Sequence, residues 1–345
     1  MNMRIIPALL ACSAALACSQ PQTTPPPPPS VTATADSIKT GGNRLIEVDG
    51  KYKVWTKKTG NGNIKVLLLH GGPGFSHDYM ECFEDFLPQE GMEIYYYDQL
   101  GCGNSDAPAD TSLWNIARYV EEVEQVRKGL GLHTFYITGH SWGALLAMEY
   151  VHKYPAAVKG VVLSNMTAGM ADFIAYADSL KRKIFSPVDM ALYDSLDKQQ
   201  AYTSPEYTNL LMNRLYTQVL CRLPVDQWPE PLMRAFKKVN PVIYNHMQGV
   251  DEFHVTGNFK NWDFWNRLPQ IKTPVLVLGG MKDEMNPESM KKEARLLPNS
   301  RLYLCPEGSH MAMYDDQARY FNALIRFLQD VEKGTFKADK AAQIQ

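Results

Sequence analysis

A serine flanked by glycines, in Gly139-His140-Ser141-Trp142-Gly143, directly follows an apolar run from Phe135 to Thr138 and directly precedes a helical pattern starting near Ala144. A strand, a tight turn and a helix are the setting in which a serine hydroxyl projects from a sheet edge as a nucleophile. Side chains at Gly139 and Gly143 would collide with the neighbouring strand and helix, so glycine is required there. A hydroxyl is a weak nucleophile, and it needs a base to take its proton and an acid to orient that base. After such an elbow the order along the chain is serine, acid, histidine. Asp283, in Gly279-Gly280-Met281-Lys282-Asp283, and His310, in Gly308-Ser309-His310, stand in that order. Of the eight histidines, His310 alone follows a late strand-like run, Leu302 to Leu304, in a glycine-containing loop. The competing reading of Asp283 is a cap on the helix beyond Pro287.

Attack on a carbonyl builds negative charge on its oxygen, for which backbone N–H groups must be waiting. The amide of Trp142 is one. A second is expected from His70-Gly71-Gly72-Pro73-Gly74, most simply from Gly72, since Pro73 has no N–H. The same loop could cradle a phosphate, but no Lys-Ser/Thr follows it.

The elements that must position these residues are readable. Arg44 to Asp49 and Tyr52 to Lys57 flank an Asp49-Gly50 turn and read as an antiparallel start. Continuous apolar runs at Val66 to Leu69, Ile94 to Tyr97, Phe135 to Thr138, Val161 to Leu163, Val275 to Leu278 and Leu302 to Leu304 suit strands covered on both faces. Helical patterns at Ile116 to Leu130, Ala144 to Lys153, Ser289 to Leu296 and Ala318 to Val331 alternate with them, as a mostly parallel α/β sheet requires. The alternation breaks between about Thr167 and Arg267, a Met-, Tyr- and Leu-rich stretch that reads as an inserted helical cap, with Pro187, Pro205, Pro224, Pro229 and Pro241 as breakers. The expected organisation is a core over 43–166 and 268–333, a cap over 167–267 and a tail over 334–345.

At 345 residues and 45% hydrophobic content the chain can bury a large core. Thirty-five basic against 37 acidic residues leave no field to draw it to nucleic acid. The six cysteines include no CxxC pair and no histidine at zinc-finger spacing, so no metal is expected. Residues 1–17 carry an early arginine and an apolar stretch too short to span a bilayer, and read as an export signal. Ala15-Leu16-Ala17-Cys18 resembles the bacterial lipoprotein signal, in which Cys18 would be lipidated; ordinary secretion and a buried helix are the alternatives. Residues 18–42, with five consecutive prolines at Pro25 to Pro29, read as a stiff disordered tether that would hold the enzyme off a membrane on the periplasmic side.

His70-Gly71-Gly72-Pro73-Gly74, Tyr97-Asp98-Gln99-Leu100-Gly101-Cys102-Gly103-Asn104-Ser105, Gly139 to Gly143, Asp283-Glu284 and Gly308-Ser309-His310 occur in this order. Over Arg44 to Val331 the chain thereby resembles the proline iminopeptidases and tricorn-interacting aminopeptidases of the α/β-hydrolase fold. The resemblance implies a triad of Ser141, Asp283 and His310, no cofactor, and release of an N-terminal residue, preferentially proline, from short peptides. It also implies that cap carboxylates bind the free amine. Glu252, within Gly249 to Gly257, matches the family's amine-binding glutamate, and Glu284 a second one in the tricorn-interacting branch. A protonated amine entering a roofed site needs such partners in place of water. The rival readings are an esterase or amidase acting on uncharged substrates, and an inactive envelope-anchored binding protein. The oligomeric state is not legible.

Overall fold

The computed structural model describes residues 40–343; the export signal, Cys18 and the tether up to residue 39 lie outside the described residues. Nine strands form one sheet in the order β1 (Asn43–Val48), β2 (Tyr52–Gly60), β4 (Met92–Tyr97), β3 (Ile64–Leu69), β5 (Phe135–His140), β6 (Val158–Ser164), β9 (Val275–Gly280), β10 (Ser300–Cys305), β11 (Asp339–Gln343). β2 runs antiparallel to both β1 and β4, and every other pairing is parallel. Every residue of β4 and of β5 is buried, whereas β1 at the edge is mostly exposed. Helices covering both faces demand that continuous apolar pattern, and an edge strand does not.

The covering helices of the core are α1 (Ile116–Gly129), α2 (Trp142–Lys153), α9 (Pro287–Leu296), α10 (Ala312–Asp315) and α11 (Gln317–Glu332). Between β6 and β9 the chain leaves the sheet. There it forms α3 (Met170–Ile184), α4 (Pro187–Lys198), α5 (Pro205–Asn209), a π-helical stretch (Leu210–Tyr216), α6 (Thr217–Val219), α7 (Glu230–Lys237), α8 (Pro241–Met247) and the hairpin of β7 (Gly249–Asp251) and β8 (His254–Val255). Pro187, Pro205 and Pro241 do not break helices but begin them, each as the first helical residue behind a capping Ser186, Ser204 or Asn240. Proline's missing N–H costs nothing at that position and its fixed φ suits the helix.

The tail is not featureless. β11 adds to β10 in parallel, with an irregular register.

The parallel arrangement decides where chemistry can sit. β3, β5, β6, β9 and β10 all end at the same edge, so the loops after them carry Gly71 and Gly72, Ser141, Asn165, Asp283 and His310 to one place.

Candidate active site

Ser141 stands between the last residue of β5 and the first of α2, with φ at +55° and ψ at −126°. A side chain in this conformation costs about 1–3 kcal/mol and persists only where the surroundings enforce it. Here they do so through the glycines. A Cβ on Gly139 would lie 2.2 Å from the carbonyl oxygen of Gly143, and one on Gly143 would lie 2.0 Å from that of Leu69. The helix therefore starts flush against β3 and β5, two residues earlier than its apolar pattern suggests.

His310 is buried beside Asp283, its Nδ1–H donating to Asp283 Oδ1 at 2.9 Å. Asp283 is held in turn: Oδ1 also accepts from the Met285 amide at 2.9 Å and Oδ2 from the Asn165 carboxamide at 2.6 Å. Asn165, at a left-handed φ of +55° just beyond β6, also donates to the carbonyl of Ser309. It thus ties together the loops carrying the acid and the base, and no sequence motif announced it. The helix-capping alternative for Asp283 is excluded by Asn286, whose side chain caps α9. From the cap, Val219 and Leu220 accept hydrogen bonds from the His310 and Met311 amides, so the roof is stitched to the base's own loop.

The loop after β3 is equally constrained. The Gly71 amide donates to the Tyr79 hydroxyl at 2.6 Å; that hydroxyl lies 2.9 Å from His140 Nδ1, and His140 Nε2 lies 2.8 Å from the His310 carbonyl oxygen. A carbonyl only accepts, so Nε2 carries the proton, Nδ1 accepts from Tyr79, and the chain of donors runs one way. Burial, reinforced by nearby His310, drives the His140 ring well below the ordinary histidine range and keeps it neutral for this task. The sequence reading gave His140 no role. Gln99 joins the same wall, donating to the His70 carbonyl and accepting from the Trp142 indole at 2.8 Å. Asp98 accepts from the amides of His77 and Asn104. The Tyr97 to Ser105 motif is therefore scaffold for the glycine loop and the elbow. The Gly72 amide makes no hydrogen bond to a described residue, and Trp142, first in its helix, has no carbonyl a turn earlier to receive its N–H. Gly72 and Trp142 line, together with Ser141, one small cavity.

Two small chambers meet at Ser141, Gly72 and Glu252. One is bounded by His310, Tyr79, Phe75 and Phe236; the other is apolar, walled by Met166, Met170, Phe173, Phe259 and Met285. Glu252 enters from the cap hairpin and accepts from the Tyr244 hydroxyl at 2.7 Å. Its neighbour Asp251 is fixed by Tyr207 and by the Phe253 amide. Glu284 is fully buried, neither of its oxygens has a hydrogen-bond partner among the described residues, and Oε1 lies 3.6 Å from His310 Nε2. Burial raises the affinity of both glutamates for a proton, which the positive charge on His310 opposes. The imidazole responds in the opposite sense: burial disfavours its charge, but Glu284, Asp283 and Glu252 outweigh that and push it up to about 9.

Among the described residues one group, His77, Asp78 and Glu81, has ligand atoms close enough for a metal, but Arg234 and Lys238 already pair with its carboxylates. Cys82, Cys102, Cys221 and Cys305 are buried free thiols.

Comparison with known proteins agrees with this architecture. The family described as alpha/beta hydrolase fold matches residues 65–317. A proline iminopeptidase of Chitinophaga pinensis is 45% identical over 83% of this chain and 97% of its own length, and one of Flavobacterium johnsoniae is 46% identical over 82% and 95%. The crystal structure of proline iminopeptidase from Mycobacterium smegmatis superposes with a TM-score of 0.78 at 26% identity, covering 85% of this chain and 99% of that one. With the fold, the elbow and the glycine loop all in place, the chain belongs to the proline iminopeptidase family of α/β-hydrolases.

Proposed function

We propose that this chain is a serine aminopeptidase that releases N-terminal proline from short peptides. The observation that carries the reading is the pairing, above one serine, of an apolar chamber with a half-buried cap carboxylate. The chamber of Met166, Met170, Phe173, Phe259 and Met285 suits a pyrrolidine ring, and Glu252 at its rim suits the ring's protonated nitrogen. An uncharged substrate would leave that carboxylate with the Tyr244 hydroxyl but no cation to balance its charge.

In this reading Ser141 Oγ attacks the prolyl carbonyl and His310 Nε2 takes its proton, while Asp283 holds the imidazole by Nδ1. The Gly72 and Trp142 amides receive the oxyanion. His310 then protonates the departing amine, and water repeats the sequence on the acyl-enzyme. The small chambers limit the acyl part to one residue. Glu284, 3.6 Å from His310 Nε2, adds negative potential for the amine. Every step uses groups of the chain itself, with no cofactor assigned.

Glu252→Gln tests it. The value of kcat/KM on L-prolyl p-nitroanilide is expected to fall at least tenfold further than that on a neutral ester such as p-nitrophenyl acetate. An equal fall on both would transfer the enzyme to the esterases. Labelling of Ser141 by a fluorophosphonate probe is expected; its absence in folded protein would leave only a binding role.

The leader and tether suggest where the reaction occurs. Export through residues 1–17 and lipidation of Cys18 would anchor the enzyme in the cell envelope, its proline-rich spacer holding the catalytic core clear of the lipid. Among the described residues no helix is long and apolar enough to cross a membrane. Cys18→Ala is expected to move the enzyme from the membrane fraction to the soluble one, and unchanged fractionation would refute the anchor.

A further inference from the structure

Three carboxylates surround one imidazole. Asp283 contacts its Nδ1 at 2.9 Å, Glu284 faces its Nε2 at 3.6 Å, and Glu252 borders the same cavity from the cap. Asp283 is fully engaged by donors from Met285, Asn165 and His310. Glu284 is not: both of its oxygens are buried and without a partner, an arrangement that costs several kcal/mol unless a charge or a proton compensates it. No lysine or arginine of the described residues pairs with Glu252 or Glu284.

The remaining groups around the imidazole supply no positive charge. From β5 and the elbow come His140, whose ring centre is 4.8 Å from that of His310 and whose neutrality follows from its hydrogen bonds, and Ser141. From the cap come Asp251 and the hydroxyls of Tyr176, Tyr216 and Tyr244, and from α10 comes Asp315, which accepts from Ser309. All are neutral or anionic. Among the described groups, the counter-charge available to this pocket before substrate arrives is a proton on the imidazole of His310, with Glu284 Oε1 3.6 Å from Nε2.

That is the nitrogen whose lone pair must accept the proton of Ser141. We propose that Glu284 is a specificity-determining residue which keeps the base occupied in the empty enzyme, and that the substrate's ammonium frees it. The proposal rests on the aminopeptidase reading above and deepens it. An ammonium arriving beside Glu252, within the negative potential of the buried Glu284, supplies the missing positive charge, and the proton on His310 Nε2 is released to solvent. Binding of one cation is thus balanced by loss of one proton. Nε2 then faces Ser141 with an open lone pair. A neutral substrate occupies the same chamber without releasing the proton, and the serine stays unactivated at neutral pH. Discrimination against esters would lie in the availability of the base as well as in affinity.

The consequence appears in pH profiles, because kcat/KM reports the free enzyme and kcat the bound complex. With His310 held up to about 9 by burial-strengthened carboxylates, ester hydrolysis by the wild-type enzyme should climb to a midpoint near that value, leaving kcat/KM at pH 7 about a hundredfold below its plateau. The kcat profile for L-prolyl p-nitroanilide should turn at least one pH unit lower, since the bound ammonium has displaced the proton. Glu284→Gln, which preserves shape and removes the charge, should move the ester midpoint down toward 6.5 and raise ester kcat/KM at pH 7 at least tenfold, while lowering that on the prolyl anilide. Fluorophosphonate titration of the variant counts folded sites, and the wild-type ester profile requires no substitution.

A wild-type ester profile that already turns near 6.5 would overturn the proposal. So would an ester midpoint unmoved in Glu284→Gln. If in either case the variant still loses prolyl anilide activity selectively, the aminopeptidase reading stands without the gate. Equal losses on both substrates would count against Glu284 as a partner of the amine.

Discussion

The two walls of the site are built on opposite terms. The core wall is braced by paired side chains: Gly71, Tyr79, His140 and the His310 carbonyl form one hydrogen-bonded chain, Gln99 ties His70 to Trp142, and Asn165 ties Asp283 to Ser309. On the wall beneath the cap, among the described residues, Glu284 has no hydrogen-bond partner and Glu252 has the single side-chain donor Tyr244. A satisfied network in a low-dielectric interior is rigid and specifies one geometry. An unsatisfied one is held ready for whatever completes it. In the proposed mechanism the contrast separates what must be accurate before substrate arrives, Ser141, His310 and the Gly72 and Trp142 amides, from what the substrate itself contributes, a cation.

Breaking the core wall should therefore be catastrophic and indifferent to substrate charge. The largest effect is expected of Gly143→Ala, whose Cβ would sit 2.0 Å from the Leu69 carbonyl oxygen, a backbone atom that cannot yield without separating α2 from β3. A loss of more than about 3 kcal/mol is anticipated from such overpacking. It would appear as a large drop in melting temperature or as insoluble protein; a variant as stable as wild type would show that the elbow is more pliable than its geometry implies. Next is Asp283→Asn, which keeps the shape but favours the wrong imidazole tautomer, with kcat falling about 10⁴-fold on prolyl anilide and on ester alike. Tyr79→Phe removes one hydroxyl and strands both the Gly71 amide and His140 Nδ1. Unpaired buried groups cost about 1–3 kcal/mol, so unfolding by denaturant should show a loss in that range, with kcat reduced equally on both substrates. A fall confined to amine substrates would place Tyr79 on the other wall.

The same division explains what the sequence disclosed. The strands, the elbow and the meeting of Asp283 with His310 were legible because each rests on a local pattern: an apolar run, a glycine pair forced by close approach, a histidine in a loop after a strand. The helix starts at Pro187, Pro205 and Pro241 were misjudged because proline marks either end of a helix, and only the capping Ser or Asn before it decides which. β11 was missed because its pairing partner, β10, is supplied by the fold rather than by any pattern in the tail. Tyr79, His140 and Asn165 were invisible for a related reason. Each acts through at least one partner 61 or more residues away, and a tyrosine or asparagine has nothing in its neighbourhood to distinguish it. Glu252 and Glu284 entered through family resemblance; that Glu284 lacks any hydrogen-bond partner is a three-dimensional fact.

The smallest expected effect is the sharpest test of the comparison. Tyr244 in α8 donates the one side-chain hydrogen bond that Glu252 receives, and that bond lowers the carboxyl's affinity for a proton against the burial that raises it. Tyr244→Phe removes the opposing contribution, so the pKa of Glu252 should rise further. A protonated Glu252 offers no charge to an ammonium. The defect should accordingly be greatest at low pH, where the shifted carboxyl is neutral, and fade as pH rises through its new value. Loss of one hydrogen bond is worth about 1 kcal/mol, or about fivefold, which should appear in KM for L-prolyl p-nitroanilide near pH 6 and shrink by pH 8. The ester, having no ammonium, should show no change in KM at either pH. If both substrates weaken together, Tyr244 belongs with the preorganised wall, and the boundary between the two must be redrawn to include the cap hairpin.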